Sequence, residues 1–253
     1  MTHSTRIALA AALACAASGA LAAPAFWTDW TGTDLDPGAG FQAQGTITTT
    51  TAAVTVTYTN AQGIGFYQPS GGIDYWQNGH AGRNDAVSPY TSTAVDNSPT
   101  GTDIVALRYA GTQTLQFSEA IANPVFAFVS LNGNGYAFDQ DFDILSAGGA
   151  DGNACGYWGC GTSYKNIVDL GNGNFEYQLL GTGEPHGTLR FTGAFDTVSW
   201  RSLSNEYWNG FTVGVQGTAA EVFPEEPGNS VPEPATLALL GLSLLGLGAA
   251  RRR

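Results

Sequence analysis

Short runs in which apolar and polar residues alternate, each bounded by Gly, Asn, Asp or Pro, recur along the middle of this chain and decide its fold class. Successive side chains of an extended strand point to opposite faces, so a period of two marks a half-buried strand, where a helix would show 3.6. Val54, Val56 and Tyr58 alternate with Thr55, Thr57 and Thr59. The turn-like Asn60-Ala61-Gln62-Gly63 then leads into Ile64 to Tyr67, a hairpin pattern. Threonines crowded from Thr46 onward suit a strand face in water. Further runs cover Ile104 to Tyr109, Thr114 to Phe117, Val125 to Leu131, Tyr136 to Leu145, Phe175 to Leu180, Thr188 to Thr192, Thr197 to Leu203 and Phe211 to Gln216. The expected fold is all-β: an antiparallel β-sandwich with jelly-roll or Greek-key connections. Its expected core is Val56, Leu107, Phe126, Phe128, Phe142, Leu189, Phe191, Val198, Trp200, Phe211 and Val213.

The two ends read differently from the middle. Arg6 is followed by an apolar run from Ile7 to about Ala17 and then by Ala20-Leu21-Ala22, the small-x-small pattern cut by signal peptidase. Residues 1–22 are expected to be a signal peptide; Ala12-Leu13-Ala14-Cys15 resembles a lipobox only loosely, with Ala where Leu is usual. The sandwich is expected over 23–216. An acidic, proline-bearing stretch over 217–230, with Glu221, Pro224, Glu225, Glu226 and Pro227, reads as an extended linker.

The last segment holds the most specific signal. Val231-Pro232-Glu233-Pro234 is followed by an uncharged, Leu- and Gly-rich run from Ala235 to Ala250 and then by Arg251, Arg252 and Arg253. A helix over that run is about 24 Å long, short of the ~30 Å hydrocarbon core, and snorkelling arginines extend its reach. The arginines stay inside by the positive-inside rule, which gives a type I topology with one C-terminal transmembrane helix. Motif, apolar segment and basic stop over 231–253 resemble the PEP-CTERM sorting signal of exported bacterial proteins. The resemblance implies recognition by an exosortase, a membrane-embedded cysteine transpeptidase that removes the apolar segment. The chain would then be held in the inner membrane only transiently before reaching the cell surface or extracellular space.

Between the ends lie five basic and twenty acidic residues, a formal charge of −15. Such a chain has no electrostatic footprint for nucleic acid and is repelled by anionic lipid headgroups. Cys15 leaves with the signal peptide. Cys155 and Cys160, in Cys-Gly-Tyr-Trp-Gly-Cys, are expected to form a disulfide after export to an oxidising compartment. That bond would constrain Tyr157 and Trp158 near the tip of a glycine-rich loop from Ser146 to Ser163, where aromatic rings can stack on a sugar or contact a protein. Trp27, Trp30, Tyr75, Trp76, Tyr90, Tyr207 and Trp208 add to the aromatic pool, most of it expected to cover the sandwich ends.

Asp139, Asp141 and Asp143 would share one face of an extended strand, a grouping of hard oxygens of the kind Ca²⁺ takes. The Gly and the closing Glu of an EF-hand are missing, so a solvated strand face is the plainer expectation, with no cofactor. Glu184-Pro185-His186 sets an acid beside a base inside a turn-like Gly181 to Gly187, where a polar loop is expected. No Gly-x-Ser-x-Gly, His-Glu-x-x-His, phosphate loop or Gly-x-Gly-x-x-Gly occurs. The sequence therefore reads as a non-enzymatic domain of the cell surface or extracellular matrix, structural or binding a glycan or other partner, associated with exopolysaccharide or biofilm and with extracellular polysaccharide as a candidate partner. Two alternatives are a glycan-active hydrolase, whose paired carboxylates only the fold can bring together, and a protein-binding adhesin.

Overall fold

Strand follows strand in the computed structural model, which describes residues 22–224. The chain opens with β1 (Phe26–Trp27), β2 (Asp29–Thr31), β3 (Phe41–Thr48), β4 (Ala53–Asn60) and β5 (Phe66–Gln68). A long connection, broken only by a 3₁₀ turn at Asp85–Val87, leads to β6 (Ile104–Leu107), β7 (Gly111–Ala122), β8 (Val125–Val129), β9 (Gly135–Phe138) and β10 (Asp143–Ala147). Then come β11 (Gly161–Gly171), β12 (Asn174–Gly183), β13 (Gly187–Arg190), β14 (Ala194–Ser202), β15 (Asn209–Val215), β16 (Gly217–Thr218) and a single helical turn, α1 (Ala219–Val222). One sheet has the order β10-β13-β8-β15-β6-β5, with β1 also on β15; the other runs β11-β12-β9-β14-β7-β4-β3-β2, with β16 on β7. Strand pairing in both is antiparallel, and from β6 onward nearly every connection switches sheet, as in jelly-roll sandwiches.

The expected core residues all lie in one buried cluster between the sheets, with Trp200, Phe126, Phe138 and Phe211 at its centre. A second cluster covers the outside of the smaller sheet. There Trp76, Tyr90 and Val95 from the long connection pack on Val125, Ala127 and Val129, so β8 is buried on both faces. This covering explains the unbroken apolar run Val125 to Val129, which a one-sided strand would not show. Arg83 fastens the cover by donating from Nε to Asp74 at 2.7 Å and from Nη2 at 2.8 Å, while Trp76 Nε1 donates to the Asp103 carbonyl at 3.2 Å.

Three local expectations are corrected. The run from Ile64 to Tyr67 does not return beside β4: Gly65 N–H donates to the Ala106 carbonyl at 2.7 Å, and β5 joins β6 in the opposite sheet. The hairpin partner of β4 is β3, paired from Phe41↔Asn60 to Thr48↔Ala53. The run Tyr136 to Leu145 is not one strand but breaks over 139–142, because β9 and β10 belong to different sheets while Phe138 and Phe142 both turn into the core, 5.5 Å between ring centres. The stretch expected as linker opens on folded residues. Gly217 and Thr218 pair with Ala122 and Ile121, and a capping box joins Thr218 to Glu221. Burial opposes the charge of Glu221, but hydrogen bonds from Thr218, Thr51 and Thr49 outweigh it and hold the carboxyl at about 2. The expected signal peptide up to Leu21, the rest of the linker from Glu225 and the tail from Val231 to Arg253 lie outside the described residues. Among the described residues no helix is long and apolar enough to cross a membrane.

Candidate functional site

Cys155 and Cys160 are bonded, with their Cα atoms 4.7 Å apart, and Gly156 and Gly159 bridge each other inside the loop. Tyr157 and Trp158 therefore occupy the tip of a closed turn. Three backbone hydrogen bonds moor it: Gly79 N–H to the Cys155 carbonyl, Ala154 N–H to Val87, and Glu184 N–H to the Cys160 carbonyl. Gly156 has to be glycine, since a Cβ there would stand 2.1 Å from the ring of His186. The two aromatic residues diverge in role. Tyr157 wedges against Tyr75 and His80, at ring separations of 5.2 and 4.4 Å, whereas Trp158 is 47% exposed and turns toward Trp208 at 6.3 Å.

Trp158 forms one wall of a cleft of about 250 Å³, lined also by Ser130, Asn132, Glu184, Glu206, Tyr207 and Trp208. These residues come from the β8–β9, β12–β13 and β14–β15 connections, which the sandwich brings to one end. Tyr207 is 83% exposed, while Trp208 is half-buried against Phe66 and Tyr75, each 5.0 Å away by ring centres.

The two carboxylates are held differently. Glu184 accepts hydrogen bonds from Ser130 Oγ on one oxygen and from Asn132 Nδ2, at 2.6 Å, on the other. Glu206 accepts from Asn209 Nδ2 at 2.8 Å, and the Asn209 oxygen accepts in turn from the buried Tyr136 hydroxyl. Its other oxygen, Oε1, is enclosed with no partner in hydrogen-bonding geometry among the described residues, the amides of Asn132 and Asn134 standing nearby. Burial pushes Glu206 up to about 7; the bond from Asn209 opposes the rise and the charge of Glu184 adds to it. His186 points away from the cleft. It is buried, its Nδ1 lies 2.9 Å from the Glu184 carbonyl oxygen, and burial lowers its pKa to about 4, so it is neutral at pH 7. Glu184 and His186 thus form no acid–base pair: Glu184 lines the cleft, whereas the His186 ring is buried against Gly156.

The sign of the Glu206 effect gives a prediction. Its folded pKa lies above the unfolded value of about 4.3, so stability is greatest below that pH and declines as pH rises through about 7. Glu206→Gln should remove this decline and stabilise the protein at pH 8 by about 1–2 kcal/mol, discounted for partial exposure. Urea unfolding at pH 5 and pH 8 measures it. An unchanged pH slope in the variant would show that Glu206 is ordinarily solvated.

Asp139, Asp141 and Asp143 are not brought together on one face, because the bend that separates β9 from β10 passes through them. Lys165 donates to Asp141 at 2.8 Å, and Arg190 approaches Asp143 at 3.9 Å. Among the described residues no three Asp, Glu, His or Cys side chains are grouped to hold a metal ion. A wider depression of about 580 Å³, bordered by Asp85, Thr91, Asp96 and Asp151, has no aromatic wall. The cleft residues that sequence reasoning missed are Ser130, Asn132 and Glu206, none of which stands in a motif; Glu184 stands out in the sequence for its nearness to His186, not for a place in a cleft.

Residues 230–253 match the family model of the PEP-CTERM protein-sorting motif. The chain carries that sorting domain at its C-terminus, which marks it for export, for processing by an exosortase and for membrane-associated sorting toward the cell surface. No curated protein and no solved structure matches the chain. The match covers about a tenth of the sequence and leaves the β-sandwich unassigned.

Proposed function

We propose that the sandwich is a non-catalytic carbohydrate-binding domain of the cell surface or extracellular matrix, delivered through the PEP-CTERM route, with extracellular polysaccharide as its partner. The observation that supports this reading is the convergence of Trp158, Tyr207 and Trp208 on one cleft that Ser130, Asn132, Glu184 and Glu206 also line. Sugars present apolar C–H faces and a rim of hydroxyls, and a site of rings and hydrogen-bonding side chains matches both. The disulfide and its moorings hold the Trp158 loop in place, so little ordering is needed on binding.

A glycan array probed with the full chain, purified in a non-glycosidic detergent, tests the reading. Trp158→Ala should weaken binding to any retained glycan by about tenfold or more, as loss of a central aromatic contact does. The same change should leave the melting temperature nearly unaltered, since Trp158 is half exposed. Failure of every glycan to bind would sink the proposal. The second reading, a glycan-active hydrolase, has one observation in its favour: Glu206, raised to about 7, lines the same cleft as Glu184. Two carboxyl groups in unlike environments are how acid and base roles separate. Release of reducing ends from a bound polysaccharide, lost in Glu206→Gln while binding persists, would transfer the assignment to that reading.

A further inference from the structure

We propose that the cleft selects a positively charged sugar, an amino-hexose unit whose ammonium group sits by Glu184 and Glu206 while its ring lies against Trp158 and Trp208. The inference rests on the carbohydrate reading above and names the ligand class.

It starts from uncompensated charge. Two carboxyl side chains line one cavity, and no basic residue does. The basic residues of the described chain are committed elsewhere: Arg83 to Asp74, Lys165 to Asp141, Arg190 to Asp143 and Arg201 to Glu176. Arg108, whose carbonyl accepts the Glu206 N–H, turns its guanidinium over the Tyr109 ring, 5.9 Å from the centroid. An anionic sugar would meet repulsion from the cleft and from the whole acidic body. A neutral sugar brings only hydroxyl donors, each satisfying one acceptor.

An ammonium group brings three donors and a full charge. Glu184, fixed by Ser130 and Asn132, and Glu206, fixed by Asn209, both line the space that such a group would enter. The aromatic wall is an independent feature that favours the same ligand, because the negative face of an indole attracts a nearby cation as well as an apolar sugar face. Burial, which makes Glu206 reluctant to ionise alone, is offset once a cation stands beside it.

The test is calorimetric titration at pH 6 of the full chain, in non-glycosidic detergent, with four probes: a glucosamine hexamer, its N-acetylated form, a neutral glucose hexamer and a lysine hexapeptide. The glucosamine hexamer is expected to bind at least about tenfold more tightly than the other three. The double variant Glu184→Gln with Glu206→Gln should remove that preference, and urea unfolding confirms that it is folded. Trp158→Ala should weaken every sugar, and the glucosamine hexamer most. Equal affinity for the three sugars, lost in Trp158→Ala, would overturn this inference and leave the carbohydrate reading standing. Binding of no sugar would overturn both, and so would equally tight binding of the lysine peptide, because the sugar ring would then contribute nothing. Retention of the preference in the double variant would overturn the role given to the carboxylates.

Discussion

Trp200→Ala is expected to destabilise the sandwich by about 3–5 kcal/mol, the range for removing a large aromatic side chain from a packed core. Trp200 is buried at the centre of the main cluster, with ring centres of Phe211 at 5.0 Å, Phe126 at 5.3 Å and Tyr58 at 6.0 Å. Its strand, β14, is paired on one side with β7 and on the other with β9, so the backbone around the deleted ring is pinned and the cavity cannot collapse. At this size each kcal/mol moves the midpoint by roughly 2–4 °C, so melting should fall by about 10 °C. Trp200→Phe should cost far less, under about 2 kcal/mol. Among the described residues the buried indole N–H has no partner, and phenylalanine removes that orphan donor along with the volume. Thermal and urea unfolding of both variants give the comparison; an alanine variant within about 1 kcal/mol of the parent would mean that the core is plastic at its centre.

Trp200 was legible beforehand, and the reason is general. A strand with one face in the core writes that face into every second residue, and the alternation across Thr197 to Leu203 names Val198 and Trp200 without any knowledge of their neighbours. Which sheet a strand joins is not written locally. Ile64 to Tyr67 carries the alternation of a returning strand after a good turn, yet its partner, β6, lies far along the chain. β11 escaped notice for a different reason. Among the described residues it is an edge strand paired only with β12, and Tyr164, Ile167 and Leu170 remain exposed, so no core imposes a pattern on it. The site divides in the same way. Tyr157 and Trp158 stand out because two nearby cysteines close a loop around them. Glu206 and Glu184 sit in separate connections, and only the switching of the chain between sheets sets them in one cleft.

The sorting tail reverses this balance: it lies outside the described residues, and its meaning is carried by sequence order alone. Glu233→Ala, or Pro232→Ala with Pro234→Ala, is expected to leave synthesis and export intact while uncut protein accumulates in the inner membrane. Proline locks φ near −65° and lacks an amide donor, and alanine at both positions removes these two constraints from the motif that an exosortase is expected to recognise. The apolar run from Ala235 to Ala250 is unchanged in these variants and is expected to halt transfer as before. Replacing Arg251, Arg252 and Arg253 with neutral residues should act earlier, by weakening retention and orientation before any cut is made. Loss of Ala235 to Arg253 should leave the mature protein without its membrane segment, much as tails exchanged for a lipid anchor do. Mass spectrometry of the C-terminal peptide, from cells with an exosortase and from cells lacking it, distinguishes the cases. Truncation near the motif only in the first, and none in the Glu233 or proline variants, is the expected pattern; an intact Arg253 terminus in both cell types would make the segment a permanent anchor and keep the sandwich at the inner membrane.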